Sequence, residues 1–170
     1  KYMLNEMEKL DGFSPTSLRF STVYGLSPRM RFDLTVNEFT KDLALGKELV
    51  VFGEQFWRPY CHVIDFARTI SVVLKAKKSL IHNQIFNVGS NSNNYTKRKI
   101  IREITKFGIK ANINFLKNDV DPRNYRVNFS KIKNRTNYTV LISEEFLLEC
   151  KVLPHLLVLY PESFLRNART

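Results

Sequence analysis

The feature that most constrains the fold of this sequence is a regular alternation between two hydrophobic periods. Short runs rich in β-branched and aromatic residues, such as "SLRFSTVYG" (17–25) and "QIFNVG" (84–89), are typical of strands. Between such runs, apolar residues recur every three or four positions, which predicts amphipathic helices. Strands that alternate with helices of about a dozen residues indicate βαβ units and a parallel sheet. The sequence therefore predicts an α/β fold, at least over residues 1–110.

The helices and the remaining strands follow from the same pattern. An amphipathic helix is predicted over 2–10 and another over 31–45, where the shared apolar face is formed by Phe32, Val36, Phe39 and Leu43. Two further helices have apolar faces at Ile64, Ala67, Ile70 and Leu74, and at Ile100, Ile101, Ile104 and Phe107. Further strands are predicted at 48–53, 58–63 and 111–116.

Charge and cysteine content restrict the class of partner. The chain has 27 Lys and Arg against 16 Asp and Glu, a net charge of +11 that suits an anionic partner. The positive residues are scattered, with "TKRK" (96–99) the densest run, so nucleic acid is disfavoured against a phosphate-bearing small molecule. No apolar run reaches the roughly 20 residues that span a bilayer. Cys61 and Cys150 lack the spacing of a disulfide framework or a zinc site, which favours a reducing, cytoplasmic setting and no metal.

The stretch "GEQFWRPYCHVIDFART" (53–69) holds the most chemistry-bearing side chains. Adjacent Cys61 and His62 point to opposite faces of a strand, which disfavours a catalytic dyad and leaves Cys61 as a buried filler. Arg58 precedes Pro59 and is therefore extended, and its planar guanidinium suits phosphate. The alternative is an ordinary surface arginine packed on Trp57.

Two other patterns carry less information. None of the glycines forms GxGxxG or a P-loop, so a dinucleotide fingerprint is absent from this chain. Tyr95 and Lys99 have the Tyr-x-x-x-Lys spacing but no companion Ser, and we interpret them as a coincidental match. The loop "DPRNYR" (121–126) is either a ligand-binding loop or a solvated basic turn.

Five ordered segments together resemble the carboxyl-terminal half of the extended short-chain dehydrogenase/reductase family, the NAD-dependent nucleotide-sugar epimerases and dehydratases. They are "LRFSTVYG" (18–25), "GKELVVFG" (46–53), "RPYCHVIDFA" (58–67), "FNVGS" (86–90) and "DPRNYRVNFSKI" (121–132). The resemblance implies the last strands and helices of a Rossmann-type, doubly wound parallel sheet plus a small α+β substrate-binding domain. It assigns residues 1–140 to this interleaved part and leaves 141–170 as a divergent carboxyl-terminal tail.

The resemblance also implies a cofactor, NAD, and residues that contact it. Lys1 is similar to the Lys of the family's Tyr-x-x-x-Lys pair, which lowers the pKa of the Tyr and holds the nicotinamide ribose. That Tyr, the companion Ser or Thr and the glycine fingerprint would lie before Lys1. Phe20, Ser21 and Val23 resemble the strand end that touches the nicotinamide.

Substrate contacts are implied in the same way, for a nucleotide-diphosphate sugar. Arg58 is similar to the arginine that grips the diphosphate, and Phe52 to the residue that meets the base. Thr22 stands where many relatives have Asn, which leaves one hydrogen-bonding group for the sugar. The further expected contacts are Leu34, Thr35 and Val36 at the start of a substrate-clamping helix, and Arg123 and Tyr125 in a second substrate-binding loop.

The resulting hypothesis is a fragment of an NAD-dependent nucleotide-sugar epimerase/dehydratase similar to UDP-glucose 4-epimerase. The fragment would be inactive alone, would require its missing N-terminal half, and would belong to a homodimer when complete. The alternative is a non-catalytic nucleotide-sugar- or RNA-binding relative of the same fold. A Tyr four positions before Lys1 would favour the enzyme, and any other residue there would favour the binding protein.

Overall fold

The computed structural model describes residues 1–27, 29–106, 108–117 and 124–138. Helices alternate with strands along most of this part of the chain, which confirms the predicted α/β class. The helices are α1 (Tyr2–Glu8), α2 (Thr35–Ala44), α3 (Val63–Lys75), α4 (Lys78–Ile81), α5 (Lys97–Thr105) and α6 (Ser130–Thr136). The strands are β1 (Thr16–Phe20), β2 (Thr22–Tyr24), β3 (Leu49–Phe52), β4 (Trp57–His62), β5 (Gln84–Val88), β6 (Asn94–Thr96) and β7 (Ile113–Leu116).

Parallel pairing dominates the strands of the described residues. β1 pairs with β5, β2 with β4, and β3 with β7, all in parallel, while β6 joins β4 antiparallel. The predicted strand 17–25 is divided at Ser21, whose backbone N–H and hydroxyl both donate to the Val88 carbonyl, at 3.3 and 2.7 Å. The β1–β5 pairing ends at this contact. After Ser21 the chain continues as β2, which pairs with β4 instead.

The larger of the two main cores joins α2 and α5 to the strands around β4. Val36, Phe39 and Leu43 point inward from α2, as the sequence predicts. Ile100, Ile101 and Ile104 do the same from α5. The core is completed by Tyr24, Leu49, Val51 and Tyr60. Both helices bury their apolar face, as amphipathic helices of globular proteins do.

The smaller core lies between the β1–β5 pair and helices α3 and α6. Its buried members are Val73, Ile81, Phe86, Val88 and Ile132. Helix α3 is present as predicted, but its apolar face is not buried: Ile64, Ala67, Ile70 and Leu74 are exposed, and Leu74 is 79% exposed. Asp65, Thr69 and Val73 are the buried residues of this helix.

No helix within the described residues is long and apolar enough to cross a membrane. The predicted tail, 141–170, lies outside the described residues. The boundary between it and residues 1–140 therefore stays a prediction.

Candidate functional site

Arg58 lies near the start of β4 and is partly buried. Its Nη1 donates a hydrogen bond to the Trp57 carbonyl at 3.1 Å. Its guanidinium carbon is 5.6 Å from the centre of the Tyr125 ring, a cation–π distance. The predicted diphosphate residue and one residue of the predicted second loop are thus neighbours, although 67 positions separate them in sequence.

Tyr60 is the residue that links the substrate-side candidates. It follows Arg58 by two positions on β4 and is 2% exposed. Thr22 is its partner in the β2–β4 register, and the Thr35 side chain hydrogen-bonds its phenol. Burial raises the pKa of Tyr60 to about 12, and the bond to Thr35 opposes that rise. Tyr60 is therefore a neutral phenol at physiological pH.

Tyr60 is not among the residues predicted to contact a substrate, although the sequence contains a signal for it. Residues i and i+2 of a strand share a face, so Tyr60 was a candidate neighbour of any ligand held by Arg58. The long-range contact with Thr35 had no such signal.

Of the other substrate-side candidates, Leu34, Val36 and Phe52 differ in burial and in their contacts. Leu34 is the residue before α2, and its carbonyl accepts the Glu38 N–H at 2.8 Å. The Val36 side chain is buried in the larger core. Phe52 ends β3 with its side chain 53% exposed, and its carbonyl accepts a hydrogen bond from Lys97 Nζ at 2.7 Å. Arg123 lies outside the described residues.

The cofactor-side candidates lie where β1 turns into β2. Phe20 is 44% exposed and packs against Phe66, with ring centres 4.4 Å apart. Val23 is half-buried on β2, beside Cys61 of β4. Lys1 is exposed and precedes α1, and its carbonyl accepts the Asn5 N–H at 3.1 Å.

The Cys61–His62 and Tyr95–Lys99 pairs are in surroundings that do not activate them for catalysis. Burial raises the pKa of the Cys61 thiol to about 12, and Cys61 is fully buried, so a thiolate nucleophile is excluded at neutral pH. The His62 side chain accepts the Ile64 N–H at 3.2 Å and so caps α3. The ammonium of Lys99 lies 4.2 Å from the Tyr95 ring centre, and burial raises the pKa of Tyr95. A raised pKa disfavours a tyrosinate base at this position.

The segment 124–129 is attached to the site by asparagine side chains. Asn94 binds Val127 twice: its Oδ1 accepts the Val127 N–H at 2.9 Å and its Nδ2 donates to the Val127 carbonyl at 3.1 Å. Asn91 Oδ1 accepts the Phe129 N–H at 2.8 Å. The polar loop "SNSNN" (90–94) therefore holds residues 127–129, which directly follow the predicted second loop. Within the described residues, no group of three or more His, Cys, Asp or Glu side chains could hold a metal ion.

Parallel strand pairs packed against helices form an α/β architecture, a class whose members often bind nucleotides at one edge of the sheet. Solved structures of sugar-nucleotide enzymes have this fold. UDP-glucose 4-epimerase from Thermotoga maritima, with UDP-glucose, matches 93% of this chain at 22% identity and TM-score 0.74. UDP-glucuronic acid 4-epimerase from Bacillus cereus, in complex with UDP-glucuronic acid and NAD, matches 92% at 25% identity and TM-score 0.75. The dTDP-glucose 4,6-dehydratase of Bacillus anthracis, in complex with NAD, matches 88% at 22% identity and TM-score 0.69.

The family follows from the sequence itself. The model of the NAD dependent epimerase/dehydratase family matches residues 1–89, and the chain belongs to this family. The described part of the chain corresponds to the carboxyl-terminal portion of the Rossmann-type fold. The chain spans about half the length of these solved structures, covering 51%, 50% and 46% of them.

Proposed function

We propose that this chain is the nucleotide-sugar-binding half of an NAD-dependent UDP-sugar epimerase or dehydratase. The observation that carries the proposal is the cluster of Arg58, Thr35, Tyr60 and Tyr125, which unites residues from β4, α2 and the second loop. It brings together one cation, three hydroxyl groups and two aromatic rings. A cation with neutral hydrogen-bonding groups suits a phosphorylated sugar better than an apolar ligand.

The cluster and the other substrate-side candidates each have a chemical role in this proposal. The Arg58 guanidinium binds the diphosphate, and the exposed Phe52 ring contacts the base. Thr22 and Thr35 offer hydroxyl groups to the sugar. Leu34 and Val36 fix the start of α2 beside it. Tyr125 approaches from the second loop, and Arg123, outside the described residues, stays an expected substrate contact. Tyr60 holds the Thr35 side chain and, because it stays neutral, adds no negative charge beside the diphosphate.

The residues at the β1–β2 turn fit the nicotinamide end of NAD in part. The exposed Phe20 ring is an apolar surface of the right kind for a planar heterocycle, and Val23 follows on β2. Ser21 fits less well, because its hydroxyl already donates to Val88. When bound, NAD would accept a hydride from the sugar and return one. Lys1 would stabilise the tyrosinate of a Tyr four positions upstream and hold the nicotinamide ribose.

Two exposed surfaces support the proposal that an N-terminal half completes the protein. Among the described strands, β1 pairs on one side only, with β5. The apolar face of α3, formed by Ile64, Ala67, Ile70 and Leu74, is exposed. An additional parallel strand beside β1 and packing over α3 would satisfy both. We also propose a homodimer for the complete protein and, from its free buried Cys61, a reducing cytoplasmic setting.

A binding measurement tests the substrate assignment. UDP is titrated into the chain and into Arg58→Ala, with Arg135→Ala, an exposed α6 arginine, as the matched control. Loss of a charge-assisted phosphate contact is expected to weaken UDP binding about 10- to 100-fold. Equal affinities for all three proteins would exclude Arg58 as the diphosphate residue.

A turnover measurement tests the incomplete-enzyme assignment. The isolated chain with NAD and UDP-glucose is expected to show no turnover, because it lacks the glycine fingerprint. Product formation by the chain alone would contradict the assignment.

One observation weighs against the RNA-binding alternative. The cations of "TKRK" are occupied inside the chain: Lys97 on the Phe52 carbonyl, Arg98 on Glu54, and Lys99 on the Tyr95 ring. RNA binding with a steep decrease in affinity as salt increases would restore that alternative.

A further inference from the structure

We propose that Arg126 is a positioning residue for Arg58, acting through Trp57. This inference deepens the proposed function and rests on it, because it assumes that Arg58 binds the diphosphate. Arg126 does not touch the ligand in this proposal. It fixes the strand residue to which the Arg58 guanidinium is attached.

The Trp57 carbonyl is the shared attachment point. It accepts one hydrogen bond from Arg58 Nη1 at 3.1 Å and another from the Tyr125 N–H at 3.2 Å. The Trp57 N–H in turn donates to Asn124 Oδ1 at 2.9 Å. Both backbone polar groups of Trp57 are therefore held by the 124–125 segment, and its carbonyl is one of the groups that fix the position of the Arg58 guanidinium.

Two arginine–aromatic pairs join β4 to residues 125–126. Arg58 of β4 lies on Tyr125, at 5.6 Å, and Arg126 lies on Trp57 of β4, with its guanidinium carbon 3.6 Å from the ring centre. Successive residues of an extended chain point to opposite faces. The Trp57–Arg126 pair therefore lies on the other face from Arg58 and Tyr125, where it stabilises the contact without competing for the ligand.

The downstream end of the segment is held independently of Arg126. Asn94 binds both backbone groups of Val127, and Asn91 binds the Phe129 N–H. Loss of the Arg126 stacking is therefore expected to loosen the Trp57–Tyr125 contact while residues 127–129 stay in place. This separation makes the role of Arg126 measurable without unfolding the loop.

The positioning role predicts a difference between the affinities for UDP and UMP. Mobility of the Trp57 carbonyl weakens the grip of Arg58 on a diphosphate more than it weakens contacts to the nucleoside. Affinity for UDP is expected to fall more than affinity for UMP. A general loss of stability would lower both affinities alike, so the ratio of the two distinguishes positioning from a merely structural role.

The experiment measures UDP and UMP dissociation constants for the wild-type chain, Arg126→Gln, Arg126→Lys and the control Arg135→Gln. Arg126→Gln and the control remove the same charge. We expect Arg126→Gln to weaken UDP binding about three- to tenfold, the range of an arginine–aromatic contact, and UMP binding less than about twofold. Arg126→Lys keeps the charge but loses the planar stacking, so it should resemble Arg126→Gln more than wild type. The control should leave both constants unchanged.

A second readout does not require ligand. The Arg58 Nε–H signal in a ¹H–¹⁵N spectrum should broaden in Arg126→Gln and persist in the control. An unchanged UDP-to-UMP ratio together with an unchanged Arg58 signal would overturn the positioning role. If wild type binds neither nucleotide, the proposed function fails, and the positioning role is then decided by the Arg58 signal alone. Full recovery by Arg126→Lys would reduce Arg126 to a source of positive charge and would also overturn the proposal.

Discussion

Amphipathic helices lie beside both main cores of this chain, but their apolar faces are buried at one core and exposed at the other. In the larger core, α2 and α5 turn their apolar faces toward β3 and β4. Beside the smaller core, α3 presents a comparable face to solvent and buries Asp65 and Thr69 instead. An apolar face retained on the outside is typical of a surface that another protein segment covers. The apolar residues around Tyr60 are thus covered within the described residues, whereas α3, beside β1, keeps an exposed apolar face.

The largest test of this comparison truncates one leucine on each side. Leu43 is 1% exposed in the larger core, whereas Leu74 is 79% exposed on α3. Leu43→Ala should lower the free energy of unfolding by about 2 to 5 kcal/mol, through lost burial and a residual cavity. Leu74→Ala should change it by less than about 0.5 kcal/mol. Urea denaturation of both variants measures the difference, and equal losses would refute the exposed position of α3.

Alkaline pH should destabilise the chain through the buried titratable groups of β4, Tyr60 and Cys61. Burial raises the pKa of Cys61 to about 12 from its ordinary value of 9.0, and that of Tyr60 to about 12 from 10.0. A raised pKa in the folded state gives stability that is present below the unfolded-state pKa and lost as pH rises toward the folded-state value. The urea midpoint of wild type should therefore fall from about pH 9 upward. In Cys61→Ala the decrease should begin about one unit higher, where the tyrosines with raised pKa values, Tyr60 and Tyr95 among them, contribute. The same onset in both proteins would contradict the Cys61 contribution.

A smaller effect is expected where α1 is attached to the residues just before β5. Leu4 is the buried residue of this helix, and Glu8 accepts hydrogen bonds from His82 Nε2 at 2.8 Å and Asn83 Nδ2 at 2.5 Å. Because these groups are largely solvent-accessible, Glu8→Gln should cost only about 0.2 to 1 kcal/mol. Amide hydrogen exchange should accelerate in α1 and stay unchanged in α5. Glu6→Gln, on the same helix but paired only with nearby Lys9, is the control and should leave exchange in α1 nearly unchanged.

The smallest effect on folding is expected from charges on the exposed face of α3. Ile70→Lys with Leu74→Lys should alter the free energy of unfolding by less than about 0.5 kcal/mol and reduce self-association of the isolated chain. Light scattering and urea denaturation check both effects. Val73→Lys, which places a charge in the smaller core on the same helix, should unfold the chain. A folded Val73→Lys variant would mean that α3 is rotated from the described orientation.

Much of the fold could be predicted from sequence because its signals are local. The apolar periods of α2 and α5 and the strands β3, β4 and β5 lie within a residue or a few of their predicted positions. The division at Ser21 was not predictable, since it depends on the Val88 carbonyl 67 positions away. The orientation of α3 was not predictable either. Periodicity identifies an apolar face but not the surface that covers it.

In the candidate site, too, the features with local sequence signals could be predicted and the long-range contacts could not. Arg58 could be selected from its neighbours, since Pro59 fixes its extended backbone and the guanidinium suits phosphate. The Thr35–Tyr60 hydrogen bond and the attachment of Val127 to Asn94 join residues 25 and 33 positions apart, and no local pattern reports them. The roles of Lys1, Phe20, Ser21, Val23 and Thr22 stay predictions for the binding and turnover measurements.

The stacking of Arg126 on Trp57 has a practical consequence for spectroscopy. Trp57 is the only tryptophan of the chain, so all indole emission comes from a ring that lies beneath a guanidinium and one residue from Arg58. Nucleotide titrations can therefore be followed without an added dye, with the emission reporting directly on the strand that carries Arg58.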